Sequence, residues 1–200
     1  MHVFLCDFLL DIVQNSLEAG SKTVSILIDE DQRMLRFTVA DDGKGMSEAV
    51  QAKVLNPFYT DGIKHAKRKV GLGIPFLVQS VDGAGGEFSL ESAEGVGTTV
   101  RFSFDLYNVD TPPFGDLPST LVAIFGHPSS CEIIVKRTLS TSLGSEGWEA
   151  SRSELLEVLG DLDTSGSLVL LSQFLQSQED ELDPIRVTHD PALSQYGVQA

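Results

Sequence analysis

The chain has 200 residues, an ordinary apolar share of 42% and a formal net charge of −15. The charge is uneven, because residues 1–106 carry 15 acids and 10 bases whereas residues 107–200 carry 14 acids and 4 bases. Such a surface repels nucleic acids and anionic lipid headgroups, so the composition argues against both nucleic acid and membrane partners.

The cysteine content and the N-terminus indicate the compartment. Cys6 and Cys131 lie far apart and match no metal-binding spacing, which is typical of structural thiols in a reducing environment. The apolar N-terminus lacks a basic leader and contains Asp7 and Asp11, so it does not fit a signal peptide. No segment is long and apolar enough to cross a bilayer. We therefore expect a cytoplasmic protein.

The first predicted element is an amphipathic helix over residues 3–19, where apolar residues recur at helical spacing. Asp11 and Asn15 lie four residues apart, so both occupy one face of this helix. Alternating apolar residues then predict an antiparallel hairpin, with strands at residues 23–29 and 34–40.

A glycine-rich stretch, DDGKGM at residues 41–46, ends this hairpin. Ser47 can cap a short helix through about Leu55, a lysine-rich loop follows, and Pro75 suits the first turn of another helix. A second hairpin is predicted at residues 87–92 and 98–106. This order predicts an α+β fold, a two-layer α/β sandwich with helices on one face of a mixed, mostly antiparallel sheet.

The composition changes after residue 106. We predict a first domain at residues 1–106, a proline-rich linker at 107–119, a small acidic α/β unit at 120–181 and a polar tail at 182–200. The small unit is expected to hold strands at residues 120–125 and 131–137, followed by two helices. The first begins near Ser151 with Glu154 in a capping box, and the second covers about 168–181. Its leucines offer a surface for a homodimer.

Five segments in order along the first half suit one ligand, ATP with magnesium. The carboxylate of Asp41 can accept the exocyclic amine of adenine, and Gly43 and Gly45 let a base approach the backbone. The oxygen of Asn15 can complete a magnesium shell held by phosphates. Of the remaining segments, the cations at residues 64–69 can screen the phosphate charge and the helix start at 71–73 can present N–H groups to a phosphate. The last is the stretch GTT at 97–99, which enters a strand.

Other readings of DDGKGM are weaker. A calcium loop needs further oxygen ligands at alternate positions, and a dinucleotide fingerprint needs a third glycine. Neither is present, and the chain contains no P-loop motif. Taken alone, the stretch is equally compatible with a tight glycine turn that carries solvated acids. The order of the five segments favours the nucleotide.

With these motifs, residues 5–104 resemble the GHKL superfamily, which includes gyrase-type, chaperone-type, histidine-kinase-type and mismatch-repair-type ATPases. DIVQNSLEAG resembles the N box and DDGKGM the first glycine box. NPFYT, followed by KVGLGIPFLV, is similar to the F box, lid and second glycine box of histidine kinases. The resemblance implies a Bergerat fold, with ATP between the helices and the sheet under a mobile lid.

The resemblance also implies roles for individual residues. Asp41 would bind adenine, Asn15 would coordinate magnesium, and Thr99 would hold adenine through water. The implied nucleotide-binding set is Asn15, Asp41, Gly43, Gly45, Met46, Lys69, Gly71, Leu72, Gly73 and Thr99.

Two departures leave the activity open. ATP-hydrolysing members usually carry Glu four residues before the magnesium-binding Asn, whereas this chain has the shorter Asp11 as its candidate catalytic residue. None of the four histidines lies on a preceding dimerisation helix, so any kinase activity is expected to act on another protein. Three hypotheses remain: a kinase for a His, Ser or Thr of a protein partner, an ATPase that drives a change in a partner, and a non-catalytic nucleotide sensor.

Overall fold

The computed structural model describes residues 4–55, 73–142 and 144–187, with side chains as far as residue 184. Within that part of the chain, one mixed sheet has the strand order β3-β4-β2-β1-β5-β6. Its strands are Thr23–Glu30 (β1), Met34–Asp41 (β2), Phe88–Ala93 (β3), Gly97–Asp105 (β4), Glu132–Thr141 (β5) and Gly144–Ser151 (β6).

The pairing of the strands aligns their apolar residues on one face. β1 and β2 form an antiparallel hairpin, β3 and β4 form another, and β2 joins β4 with Phe37 opposite Phe102. β1 pairs in parallel with β5, so Ile26 lies beside both Val39 and Val135. Alternation along each strand therefore gives a continuous buried face, on which the Phe37 and Phe102 rings stack with centroids 4.8 Å apart.

Six helices are described. They are Leu5–Glu18 (α1), Glu48–Val54 (α2), Gly73–Gly83 (α3), Leu117–Phe125 (α4), Arg152–Leu159 (α5) and Ser165–Val187 (α6). α1 contacts α3, α4 and the sheet, and α4 in turn contacts α6. Their buried faces join the sheet in one hydrophobic cluster that runs from Leu5 to Leu182.

The α+β fold, with its mixed and mostly antiparallel sheet, confirms the architecture expected from the sequence. Both hairpins of the first half and the helix with Asp11 and Asn15 form where the periodicity predicts them. The predicted start of α5 is also found, because Ser151 Oγ accepts the Glu154 backbone N–H; the Glu154 carboxylate accepts the Ser151 hydroxyl at 2.7 Å rather than the Ser151 backbone N–H, so the reciprocal half of the predicted capping box is replaced by a side-chain contact.

The strand predicted at residues 120–125 is wrong, because this segment belongs to α4. Asp116 caps the helix by accepting the Ser119 N–H at 2.9 Å, and Pro118 lies in the first turn. A short apolar run is compatible with both a buried strand and a buried helix, because hydrophobicity alone does not distinguish them. Here the helix start signal at Asp116 favours the helix.

Two further expectations for the C-terminal half need correction. β6 was not predicted, since GSEGWEAS contains two glycines and no β-branched residue. The polar tail was predicted to begin at residue 182, but α6 continues to Val187 and Leu182 is buried. Residues 188–200 lie outside the described part of the chain.

The predicted linker and the predicted small unit contact the first half closely. The Pro113 and Phe114 carbonyls accept the Leu5 and Cys6 N–H groups at 2.9 and 3.0 Å, which satisfies free donors at the start of α1. The proposed boundary at residues 107–119 therefore divides the chain into two segments that share one sheet and one core.

A buried polar network also links these two segments. Arg137 on β5 is fully buried and pairs with Glu30 at the end of β1. It also lies 3.5 Å from the Glu179 carboxylate of α6, which accepts the Trp148 indole N–H at 2.9 Å. The Trp148 hydrogen bond and the ion pair with Arg137, whose Nε has no hydrogen-bond partner among the described residues, thus link α6 to the sheet.

None of the helices in the described ranges has the length and hydrophobicity that crossing a bilayer requires.

Candidate functional site

Asp41 lies half-buried at the end of β2, and three donors fix its carboxylate. Oδ2 accepts the Ser16 hydroxyl at 2.7 Å, while Oδ1 accepts the Ser21 hydroxyl at 3.2 Å and the Gly43 N–H at 2.9 Å. Ser16 follows Asn15 on α1, so the helix and the strand end meet at this carboxylate. Because the donors come from three separate segments, the position of the carboxylate is set by the fold.

The loop after Asp41 packs too tightly for any side chain at two positions. A Cβ added to Gly43 would lie 2.6 Å from Ser21 Oγ. Gly45 has φ +62°, and a Cβ there would lie 1.9 Å from the Ala93 carbonyl oxygen. The glycines thus let the loop contact the β3–β4 turn, where the Gly95 N–H donates to the Lys44 carbonyl at 2.8 Å.

Met46 is anchored to the β3–β4 hairpin through its backbone. Its N–H donates to Ser92 Oγ at 2.9 Å, and its carbonyl accepts the Gln51 amide at 3.1 Å. Ser92 also shares a hydrogen bond of 2.8 Å with Thr98, which is opposite Asp41 in the sheet. Thr99, the next residue, is half-buried and pairs with Ala40. The structure therefore brings Asp41 and Met46 to one end of the sheet, whereas Thr99 lies on the opposite face of the sheet from Asp41, because side chains alternate along β4 and Thr98 is the one that pairs with Asp41.

Asp11 and Asn15 lie on the same face of α1, with Asp11 half-buried and Asn15 exposed. A Cβ added to Gly73 would lie 2.8 Å from Asp11 Oδ2, so the first residue of α3 contacts this carboxylate. The N-terminus of α3 is thus beside Asp11, one helical turn from Asn15. Lys69, Gly71 and Leu72 fall outside the described residues.

These residues fall into two groups. The group at Asp41 and Met46 combines a fixed carboxylate with a loop that is anchored to the β3–β4 hairpin. The group at Asp11 and Asn15 combines polar side chains with the start of a helix, whose first N–H groups attract anions.

Comparison with known proteins assigns the family. Residues 2–108 match the family model described as histidine kinase-, DNA gyrase B- and HSP90-like ATPase. The chain belongs to this ATPase family. Its first half is an ATP-binding domain of the histidine-kinase type, as the sequence motifs imply.

Among curated relatives, the sensor histidine kinase WalK of Bacillus subtilis (strain 168) is 34% identical over 100 residues, 46% of this chain and 16% of that kinase. The sensor histidine kinase SpaK of Bacillus subtilis is 32% identical over 109 residues, 54% of this chain and 23% of that kinase. The chain therefore matches less than a quarter of the length of either kinase.

A solved structure extends the fold likeness beyond the family segment. The N-terminal domain of a DNA repair protein aligns with 84% of this chain and 59% of that chain, with a TM-score of 0.53 and 15% identity. At this identity the likeness concerns the fold alone.

Within this ATPase domain, Asp42 differs in role from its neighbour Asp41. Its Oδ1 accepts the Thr23 N–H at 2.9 Å and the Lys22 N–H at 2.7 Å. The Thr23 hydrogen bond, assisted by that of Lys22, holds the pKa of the Asp42 carboxyl below its ordinary value. Asp42 therefore joins the end of β2 to the start of β1, and its side chain is exposed.

The sequence did not single out the side chains that hold this site together. Four side chains, those of Ser16, Ser21, Gln51 and Ser92, bond to the loop or to Asp41. Ser16 carries a weak signal, since it occupies an otherwise apolar position of α1 and is buried. Ser21 and Ser92 lie beside turns, where serine is common for local reasons, so their sequence context alone does not mark them.

Proposed function

We propose that the groups at Asp41 and at Asp11 form the two ends of one site for ATP with magnesium, and that the chain passes the γ-phosphate to a side chain of a protein partner. The observation that carries the proposal is the geometry of the Asp41 carboxylate. A carboxylate offers about four acceptor positions. The Ser16 hydroxyl takes one on Oδ2, and the Gly43 N–H takes one on Oδ1, which the Ser21 hydroxyl, shared with the Ser16 carbonyl, also approaches. The remaining position, on Oδ2, suits a donor such as the exocyclic amine of adenine.

The glycine loop is consistent with a nucleotide base beside this carboxylate. Gly43 and Gly45 let the loop pack closely against Ser21 and the β3–β4 turn, which fixes the backbone of Met46 at this end of the sheet. Thr99 faces the opposite side of the sheet from Asp41, so we do not assign it to this base-binding end. An adenine ring is thus recognised by one charged acceptor and otherwise by contact with the backbone and apolar atoms.

The other end of the site suits the phosphates and the metal. Asn15 supplies the neutral oxygen that magnesium accepts when phosphates provide the charge. Gly73, with Gly71, Leu72 and Lys69 in the preceding segment, would hold the phosphates at the start of α3. When bound, magnesium would neutralise charge that develops on the phosphates during transfer.

Asp11 is the candidate catalytic residue, since its carboxylate touches Gly73 at this end. It can accept the proton of the attacking group as that group bonds to phosphorus and the bond to the ADP oxygen breaks. Asp is one methylene shorter than the Glu typical of ATP-hydrolysing members. The shorter side chain and the likeness to sensor kinases favour a protein nucleophile over water.

Hydrolysis is the second candidate, because the Asp11 carboxylate already lies beside the predicted phosphate end. Transfer and hydrolysis are distinguished by the acceptor of the γ-phosphate, which is a partner protein in the first and water in the second. We would incubate the protein with γ-labelled ATP and magnesium, alone and with proteins that co-purify from its source. Label on a partner supports transfer, whereas inorganic phosphate released without a partner supports hydrolysis.

Variants of α1 make this experiment specific. Asn15→Ala is expected to weaken magnesium-dependent ATP binding by about tenfold or more, and Asp11→Ala to abolish turnover while retaining ATP. Gln14→Ala, an exposed amide beside Asn15, serves as the control and should change neither property. Tight ATP binding with neither labelled partner nor free phosphate would contradict a catalytic role and leave a nucleotide sensor.

A further inference from the structure

An apolar groove lies at the free edge of the sheet, away from the proposed ATP site. It is bounded by the end of β6, by α5 and by α6, and we refer to it as the β6–α5–α6 groove. Its volume is about 230 Å³. Sites for small molecules usually enclose roughly 300–1,000 Å³, so this groove suits one or two side chains of another protein better than a metabolite.

The groove opens onto apolar side chains that nothing in the described chain covers. Val158 on α5 is 82% exposed, and Phe174 on α6, which lines the groove, is 40% exposed. Leu170 is 55% exposed and lies one turn before Phe174 on the same face of α6. A contiguous apolar surface of this kind marks a protein–protein contact more often than solvent-exposed structure.

The charge around the groove specifies the partner. Glu149 and Glu154 lie at its rim, and residues 144–163 carry six acids and one base. We infer that the β6–α5–α6 groove docks a basic amphipathic helix of a partner protein. Apolar side chains three or four residues apart would fill the groove, and flanking Lys or Arg side chains would approach the rim carboxylates.

Two other possible occupants of the groove, a second copy of the chain and its own residues 188–200, fit its acidic rim less well. A second copy of the chain would bring its own acidic rim against this one, and each copy carries a net charge of −15. Residues 188–200 contain no lysine or arginine. This segment therefore offers none of the cations that the rim requires.

The inference is independent of the proposed phosphotransfer. Asp41 lies on β2, which is separated from β6 by three strand spacings, about 14 Å. A variant of the groove should therefore leave ATP binding unchanged, and a variant of Asp41 should leave docking unchanged.

The test uses the full chain and a defined probe, a fluorescein-labelled 15-residue amphipathic peptide of Leu and Lys. A peptide with Glu in place of Lys is the matched control. Fluorescence anisotropy should show binding of the Leu/Lys peptide only. Phe174→Ser and Val158→Ser should each weaken it by about tenfold, and Glu149→Gln combined with Glu154→Gln should weaken it and reduce its salt dependence.

Variants of exposed valines elsewhere separate docking from general attraction. Val96→Ser and Val109→Ser alter side chains that are 71% and 94% exposed and lie outside the groove lining, so both should bind as the parent does. Equal affinities in the groove variants and these controls would overturn the inference. Tighter binding of the Leu/Glu peptide, or a concentration-dependent dimer that Phe174→Ser dissociates, would overturn it as well. Circular dichroism and ATP binding establish that each variant is folded.

Discussion

Replacing Asp41 by Asn changes one atom in the network that defines the base-binding end of the proposed ATP site. The Gly43 N–H must still donate to an oxygen, so the new amide oxygen takes the place of Oδ1 and the amide nitrogen takes the place of Oδ2. The Ser16 hydroxyl, 2.7 Å from Oδ2, can rotate to accept a hydrogen bond from that nitrogen. The fold should therefore lose less than about 1.5 kcal/mol of unfolding free energy.

The nucleotide is affected more strongly than the fold. An adenine amine at Oδ2 would face an NH2 group in the variant and lose a hydrogen bond to a charged acceptor. Such bonds contribute about 1.5–3 kcal/mol, which corresponds to roughly a 10- to 150-fold increase in Kd for ATP. The new donor should at the same time improve binding of inosine triphosphate, which carries an acceptor oxygen at this position.

Isothermal titration with ATP, ADP and inosine triphosphate measures this prediction, and thermal unfolding checks the fold. Asp42→Asn is the matched control, because Asp42 bonds to the Lys22 and Thr23 backbone and not to the proposed ATP site. Its Kd for ATP should stay within about threefold of that of the parent. A folded Asp41→Asn variant with unchanged ATP affinity would refute the assignment of Asp41.

Three other predictions concern stability. Gly45→Ala should lower the Tm by several degrees, because its Cβ would lie 1.9 Å from a carbonyl oxygen in a left-handed backbone. Gly95→Ala is the control, since Gly95 has a similar φ of +75° but open space around it, and it should lower the Tm less. An equal fall in Tm for both variants would contradict this explanation. Hydrogen bonds, first among them that of the Thr164 N–H, lower the pKa of Asp161 from 3.8 to about 2, so the stability that its carboxylate contributes is present above pH 3.8 and is lost as pH falls toward 2. The free energy of urea unfolding should therefore depend less on pH in Asp161→Asn than in the parent between pH 3.8 and 2. The same pH dependence in both proteins would exclude the effect. Glu179→Ala removes a partner of the buried Arg137 and should cost about 3 kcal/mol in urea unfolding, whereas a loss below about 1 kcal/mol would show that the remaining partner suffices.

The sequence predicted the parts of the fold that depend on local pattern. The helix with Asp11 and Asn15 and both hairpins of the first half follow from period and turn residues alone. The ATP-binding motifs were found because several weak signals occur in a fixed order.

The remaining features depend on contacts between residues far apart in the chain. The segment at residues 120–125 has no clear period, and its helical state follows from the cap at Asp116 and from packing on α1. β6 forms because β5 offers it a ladder, despite its low strand propensity. The hydroxyls of Ser16 and Ser21 gain their role only when α1, its following turn and β2 meet at Asp41.

The parallel pairing of β1 with β5 has a consequence for the order of folding. β1 is followed within a few residues by β2, its first partner strand, but its second partner, β5, begins only at Glu132. A nascent chain that ends near residue 108 therefore presents β1 as an open edge, with unpaired N–H and C=O groups that can recruit other chains. Its Glu30 also lacks the arginine that it pairs with in the finished protein. The C-terminal half thus supplies β5, the strand that pairs with the open edge of β1, only late in synthesis. The ATPase segment expressed alone is expected to aggregate under conditions in which the full chain does not.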